Sequence, residues 1–336
     1  MDAATQAHGL AASSGVVGHT GIAGLTLGGG MGRLMRKYGL TSDTLLSAEV
    51  VLADGRVVAA SETENPDLFW ALRGGGGNFG IVTRFEYRLF PVGPMILGGL
   101  ILHEFARATE ALRFYRDFCL AAPDEVSVDA ALMAMPGGSL MLGFAPCHIG
   151  PLDQAERELQ PLRSFGPPAQ DMVGPMPYVA LQTSLDDLFA RGRRFYWKSH
   201  FLREMPDAAI DTMVAQFARV PGPPSVIVLQ QAGGETARRG VGETAYGNRD
   251  ANWNFIPCAI SEDLAEDARN IAWVRGVFEA LRPYVTGGVY VNDLGDEGEE
   301  RIRAAYGGNY DRLARVKAKY DPSNLFRLNQ NIRPAT

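Results

Sequence analysis

The sequence predicts an α+β protein in two lobes, and three observations predict it. The first 90 or so residues read as short strands and helices joined through glycine. From about residue 94 to 290, longer amphipathic helices alternate with strands, the pattern of an antiparallel sheet with helices on one face. The end of the chain, DRLARVKAKYDPSNLFRLNQNIRP, reads as one amphipathic helix stopped at Asp321-Pro322 and followed by a polar extended segment.

Each element has a local reason. EVVLADGRVVAAS is a hairpin, two β-branched runs around the turn dipeptide Asp54-Gly55. ENPDLFWALR is a short helix with Asn65 placed as its cap, Pro66 in its first turn and Asp67 at its positive end. GIVTRFEYRLFPV then alternates like a half-buried strand. In the middle region, helices are expected at FARATEALRFYRDFCLAA and EDARNIAWVRGVFEALRPY. The strands expected there are SLMLGFAP, RRFYWKSHFL, SVIVLQQAGG and WNFIPCAIS. Proline-rich GPPAQDMVGPMP and PGPPS are surface connections, and no internal repeat is visible.

Composition removes several function classes. The chain has 336 residues, 46% of them hydrophobic, enough to bury a sizeable core. Its net charge of −6 lacks the basic excess of a nucleic-acid binder. No apolar run reaches the roughly 18 residues of a membrane helix, and MDAATQAHGL has no secretory leader pattern. Cys119, Cys147 and Cys258 lie far apart, as buried thiols of a reducing compartment would, so a cytoplasmic protein is expected. His8, His19, His103, His148 and His200 form no metal-binding pair. GxSxG and Gly-Lys-Ser/Thr signatures are missing as well.

Two glycine runs remain to be explained, LGGGMG at 27–32 and GGGGNFG at 74–80. The second contains G-x-G-x-x-G, but it follows a helix and leads into a strand. A dinucleotide fingerprint requires the reverse order, so that a pyrophosphate meets a helix N-terminus. Glycines this dense carry an entropy cost. Either the backbone turns very tightly there, or it passes close against a flat ligand.

Three stretches carry a resemblance: GHTGIAGLTLGGGMGRLMRKYGLTSD, NPDLFWALRGGGGNFGIVTRFEYRL and YDPSNLFRLNQNIRP. Together, and in this order, they resemble the berberine-bridge-enzyme-like branch of the vanillyl-alcohol-oxidase type flavoproteins. The resemblance implies the C-terminal part of a PCMH-type FAD-binding domain at 1–92 and a substrate-binding α+β domain at 93–290. At 291–336 it implies a C-terminal segment that returns to the FAD lobe. It implies that both glycine runs let backbone approach FAD. Gly21, Ile22, Ala23, Gly24 and Leu25 would lie along the flavin and pyrophosphate, Met31 nearby, and Ile81 and Val82 on the adenine side. Thr20 stands where relatives have a small residue beside the flavin.

Two departures from the family qualify what is carried over. Relatives have a further N-terminal stretch with a second phosphate loop and a histidine that bonds the flavin covalently. His8 and His19 are not expected to replace that histidine, and Val17 stands where bicovalent relatives have cysteine, so any flavin here is expected to be non-covalent. In YVND (290–293), Asp293 stands where many oxidases of the family have the tyrosine base. Asp293 is either the base, with Asn292 orienting the site, or a solvated residue at a strand end ahead of GDEGEE. Trp253 and Asn254 either contact substrate or, for Trp253, pack in the core.

The expected activity is therefore an FAD-dependent oxidation of a small hydroxylated molecule, with hydride passing to flavin N5 and dioxygen as electron acceptor. Sugar, phenolic alcohol, alkaloid and polyketide substrates all remain open. The alternative is a catalytically silent fragment that needs a separate N-terminal FAD-domain polypeptide.

Overall fold

The computed structural model describes residues 1–295, 297–328 and 330–336. Asp296 of the acidic GDEGEE loop and Asn329 of the expected returning tail lie outside the described residues. The chain divides into two compact units. The first comprises Met1–Pro91, Gly233–Asp250 and Gly288–Thr336, and the second Val92–Ala232 and Ala251–Gly287.

In the first unit the expected hairpin forms from strands Leu45–Val51 and Val57–Ser61, and Gly55 takes φ +83° at its turn. Strand Ile81–Tyr87 pairs antiparallel with the other side of Leu45–Val51, making a three-stranded sheet. Its inner face carries Ala48, Val50 and Ala60, which pack with Leu68, Phe69 and Leu72 of helix Pro66–Leu72. Asn65 stands before that helix but does not cap it with its side chain. It takes a left-handed conformation (φ +46°) and its Nδ2 donates to the Ala59 carbonyl instead. The neighbouring hairpin offers an acceptor that a sequence pattern around one helix does not show.

The tail helix Tyr310–Tyr320 adds Leu313, Ala314 and Val316 to the same core, and Arg312 lies over the Trp70 ring at 3.8 Å. The chain then returns as expected. The amide of Ile332 donates to Asn78 Oδ1 (3.0 Å), and Ile332 is fully buried in the first unit's core.

The second unit is built on an antiparallel sheet, ten-stranded among the described residues. Its central strands are Leu140–His148, Val126–Ala134, Val226–Gln231 and Trp253–Ser261. Alternate residues (Val126, Val128, Ala130 and Leu132; Ile227 and Leu229; Trp253 and Phe255) point into one core. Four helices cover that core: Ala108–Ala121, Leu152–Ser164, Asp207–Phe217 and Asp267–Ala280. All three cysteines are buried.

One stretch corrects the expected division. Residues 233–250 fall inside the expected 93–290 domain but belong to the first unit. Trp70 Nε1 donates to the Gly242 carbonyl (2.9 Å), and Arg249 pairs with Asp43. These partners lie about two hundred residues away, beyond any local pattern. No described helix is long and apolar enough to cross a membrane.

Candidate functional site

The two glycine runs meet each other within the first unit. The amides of Gly74 and Gly76 both donate to the Leu27 carbonyl, at 3.1 and 2.8 Å. Tyr246 fills the space the glycines leave. A Cβ on Gly29 would come within 2.7 Å of its ring, and one on Gly74 would overlap its backbone. Gly29 and Gly74 also take φ of +121° and +122°, which side chains rarely adopt. At Gly28 a Cβ would overlap the Asn292 carboxamide, and at Gly80 it would strike Val50 and Val51. The expectation that both runs bare their backbone to a ligand is therefore corrected. Gly28–Gly30, Gly74, Gly75 and Gly80 are buried, and most of their missing side chains make room for this protein's own atoms.

The bare backbone lies just before the first run. Thr20, Gly21, Ala23 and Gly24 are exposed, and Ile22 and Leu25 are half-buried. The short helix Ile22–Leu27 starts at Gly21 with no side-chain cap, and a Cβ on Gly21 or Gly24 would meet nothing within 4 Å. Met31 is buried, and its amide points to Tyr290. Ile81 is exposed at the start of its strand, whereas Val82 packs against the core.

YVND forms a 3-10 turn at Val291–Asp293 rather than a strand end. Tyr290 is buried just before it. Its hydroxyl oxygen accepts three N–H groups, from Gly30 (3.0 Å), Met31 (3.3 Å) and Asn292 Nδ2 (2.8 Å). Asn292 Nδ2 also reaches the Leu25 carbonyl at 3.3 Å, tying the turn to the Ile22–Leu27 helix. Asp293 is half-buried. Burial, and then the nearby Asp293 carboxylate, push the Tyr290 phenol up to about 12 against the opposing pull of its hydrogen bonds.

Behind this turn lies a network that sequence reading missed. Asp43 and Arg249, both buried, form a two-pronged pair with both N···O distances 2.7 Å, and Arg249 also donates to Thr244 Oγ1 (2.6 Å). Burial disfavours the guanidinium charge, but the Asp43 bond outweighs it and raises the Arg249 pKa. Arg249 lies over the Tyr246 ring at 5.2 Å, and Tyr246 meets the Tyr290 ring edge-on at 6.4 Å. Tyr290 was legible in principle, as a neighbour of Asn292 and Asp293 in one motif. Tyr246 and Arg249 left no signal in the sequence, because nothing local marks residues 233–250 as part of this unit.

Of the two candidates in the second unit, Trp253 takes the packing role. It is 1% exposed within the helix-covered core, on the face shared with Phe255, Ile227 and Leu229. The expected substrate contact is withdrawn for Trp253, because strand alternation sends it into the core. The same alternation puts Asn254 on the opposite face, where it pairs in register with Gln230.

Comparison with known proteins places this geometry. Residues 1–61 match the model of an FAD binding domain, and residues 289–333 match that of berberine and berberine-like proteins. An FAD-linked oxidoreductase of Dictyostelium discoideum is 31% identical over 99% of this chain and 73% of its own length. The chain belongs to the berberine-bridge-enzyme-like FAD-linked oxidoreductases. (R)-6-hydroxynicotine oxidase of Paenarthrobacter nicotinovorans is another relative, 32% identical over 97% of this chain and 73% of that protein. Among solved structures, 6-hydroxy-D-nicotine oxidase from Arthrobacter nicotinovorans superposes with a TM-score of 0.89 at 27% identity, covering 99% of this chain and 76% of that one. The chain thus spans about three-quarters of the length of these relatives.

Membership in a berberine-bridge-enzyme-like family implies FAD, and the residues present fit one side of such a group. The uncapped start of the helix Ile22–Leu27, at Gly21–Gly24, presents backbone with no side chain over Gly21 or Gly24. A flat ring or a pyrophosphate needs this kind of surface.

Proposed function

We propose that this chain, with FAD bound non-covalently against Gly21–Leu25, oxidises a small hydroxylated molecule, and that Asp293 takes the hydroxyl proton. FAD, when bound, would supply the hydride acceptor, with dioxygen as the final electron acceptor. The observation that carries the assignment of the base is the division of labour inside YVND. Tyr290 is neutral at working pH, and three N–H groups already crowd its oxygen. Asp293, one turn further on and half-buried, is the carboxylate of this turn, and this reading gives it the proton.

Replacing Asp293 with Asn keeps the shape and removes the basic oxygen. The expected result is a rate loss of about 10²–10⁴-fold. A variant within a few-fold of the parent would mean that Asp293 is a solvated side chain.

A second reading rests on the three-quarters span of the relatives. In it the chain is silent alone and works with a separate polypeptide that completes the flavin cradle.

A further inference from the structure

Several other tyrosines of this molecule use their hydroxyl as a donor, and Tyr196 accepts a single N–H, from Arg275. Tyr115 donates to the Val128 carbonyl (2.9 Å), Tyr306 to Gly75 (3.2 Å) and Tyr38 to Pro91 (3.3 Å). Tyr290 is used the other way, as the point on which three N–H groups converge. Two of those donors belong to the buried glycine run, and the third is the side chain next to Asp293. Phenol oxygen has two lone pairs, so a packing tyrosine needs one partner and gains little from a third. Gathering three donors holds their carriers in place relative to one another.

We propose that Tyr290 is a positioning residue that acts through Asn292, locking the turn that carries Asp293 to the Gly28–Met31 backbone. The catalytic side of this proposal rests on the oxidation put forward above. The geometry adds a second lock. The Asn292 carboxamide lies flat on Gly28, where a Cβ would overlap it, and its Nδ2 bridges the Tyr290 oxygen and the Leu25 carbonyl. Asn292 is otherwise exposed, and an exposed amide with one rotamer imposed on it needs such a constraint. Gly28 thus leaves the space and Tyr290 supplies the acceptor. The helix Ile22–Leu27, whose first residues form the bare face, is tied to Asp293 through one side chain.

The test uses the full chain with ¹⁵N-labelled asparagine. The Asn292 side-chain amide signal is identified by its loss in Asn292→Ala. In the parent it should be dispersed from the free-amide position and slow to exchange. Tyr290→Phe, which keeps the ring and removes the oxygen, should bring it to the free-amide position and speed its exchange by tenfold or more. Gly28→Ala, which leaves Tyr290 intact, should have the same effect by expelling the carboxamide.

In enzyme showing oxidase activity, Tyr290→Phe should lower kcat about tenfold or more with KM nearly unchanged, and add nothing in an Asn292→Ala background. An Asn292 signal unmoved in Tyr290→Phe would overturn the proposal, as would kcat losses that simply multiply in the double variant. The spectroscopic arm requires neither flavin nor turnover, so it stands if no substrate is ever oxidised. A failure of the Asp293 assignment would show instead in Asp293→Asn, with the Asn292 signal in place.

Discussion

His103 is buried on strand Ile101–Glu104, edge-on to Phe144 and Phe165 at 5.3 and 5.8 Å, and neither ring nitrogen has a hydrogen-bond partner among the described residues. Burial, and then the Arg107 charge, depress its pKa, so the ring packs as a neutral aromatic. A buried polar group without a partner costs about 1–3 kcal/mol, and an apolar replacement of the same shape removes that penalty. His103→Phe should therefore be neutral or stabilising by up to about 1 kcal/mol in urea unfolding, whereas His103→Ala should lose about 2 kcal/mol or more through the cavity. In the sequence His103 was one of five histidines without a pattern. Only the rings around it decide that it is a packing residue.

At the scale of elements, one buried ion pair joins the tail helix to the returning segment at its C-terminal end. Lys317 Nζ donates to Asp321 (2.6 Å), to the Asn78 carbonyl (2.6 Å) and to the Phe326 carbonyl (2.7 Å), so all three of its N–H bonds are used. Asp321 also accepts from the amides of Leu325 and Phe326 at 2.8 and 2.9 Å. Lys317→Met leaves that carboxylate buried without its cation and should cost about 3–5 kcal/mol by urea titration. Burial raises the Asp321 pKa, but the bonds from Lys317, Phe326 and Leu325 outweigh it and the net shift is downward. A lowered carboxylate pKa contributes stability that is full above its unfolded value of about 3.9 and is lost as pH falls through the lower folded value. Melting temperature should therefore drop on acidification below about pH 4, and Asp321→Asn should flatten that part of the curve. The sequence showed where the helix stops, at Asp321-Pro322, but not that the stop residue is the anchor.

For the whole molecule, the open question is the flavin. Each unit has its own apolar core, and the bare face at Thr20–Gly24 belongs to the first. Contacts from one glycine-rich stretch must offset a large association entropy, at least several kcal/mol. The 336-residue chain expressed alone is therefore expected to bind FAD weakly, and to release it into the supernatant on acid precipitation. Fluorescence titration measures the first and precipitation the second. Flavin retained in the acid pellet would contradict the non-covalent reading. Co-expression with a polypeptide carrying the remainder of a relative's flavin cradle should tighten binding, and an unchanged titration would count against the two-polypeptide reading.

The sequence by itself determined the α+β class, the hairpin at Asp54-Gly55, the helix-covered antiparallel sheet and the returning tail. These rest on alternation, helical periodicity and turn chemistry, which are local, and on long motifs that a family shares. It also marked Asp293 and Asn292 as the residues to watch. What the glycines serve was decided only by tertiary structure. Gly28, Gly29 and Gly74 leave room for Asn292 and Tyr246, which approach from more than 170 residues away. The same holds for Trp253, whose face depends on strand register, and for Arg249, whose counter-charge Asp43 lies 206 residues earlier in the chain. A local pattern records what a residue does to its own backbone. It does not record which distant side chain will need the space beside it.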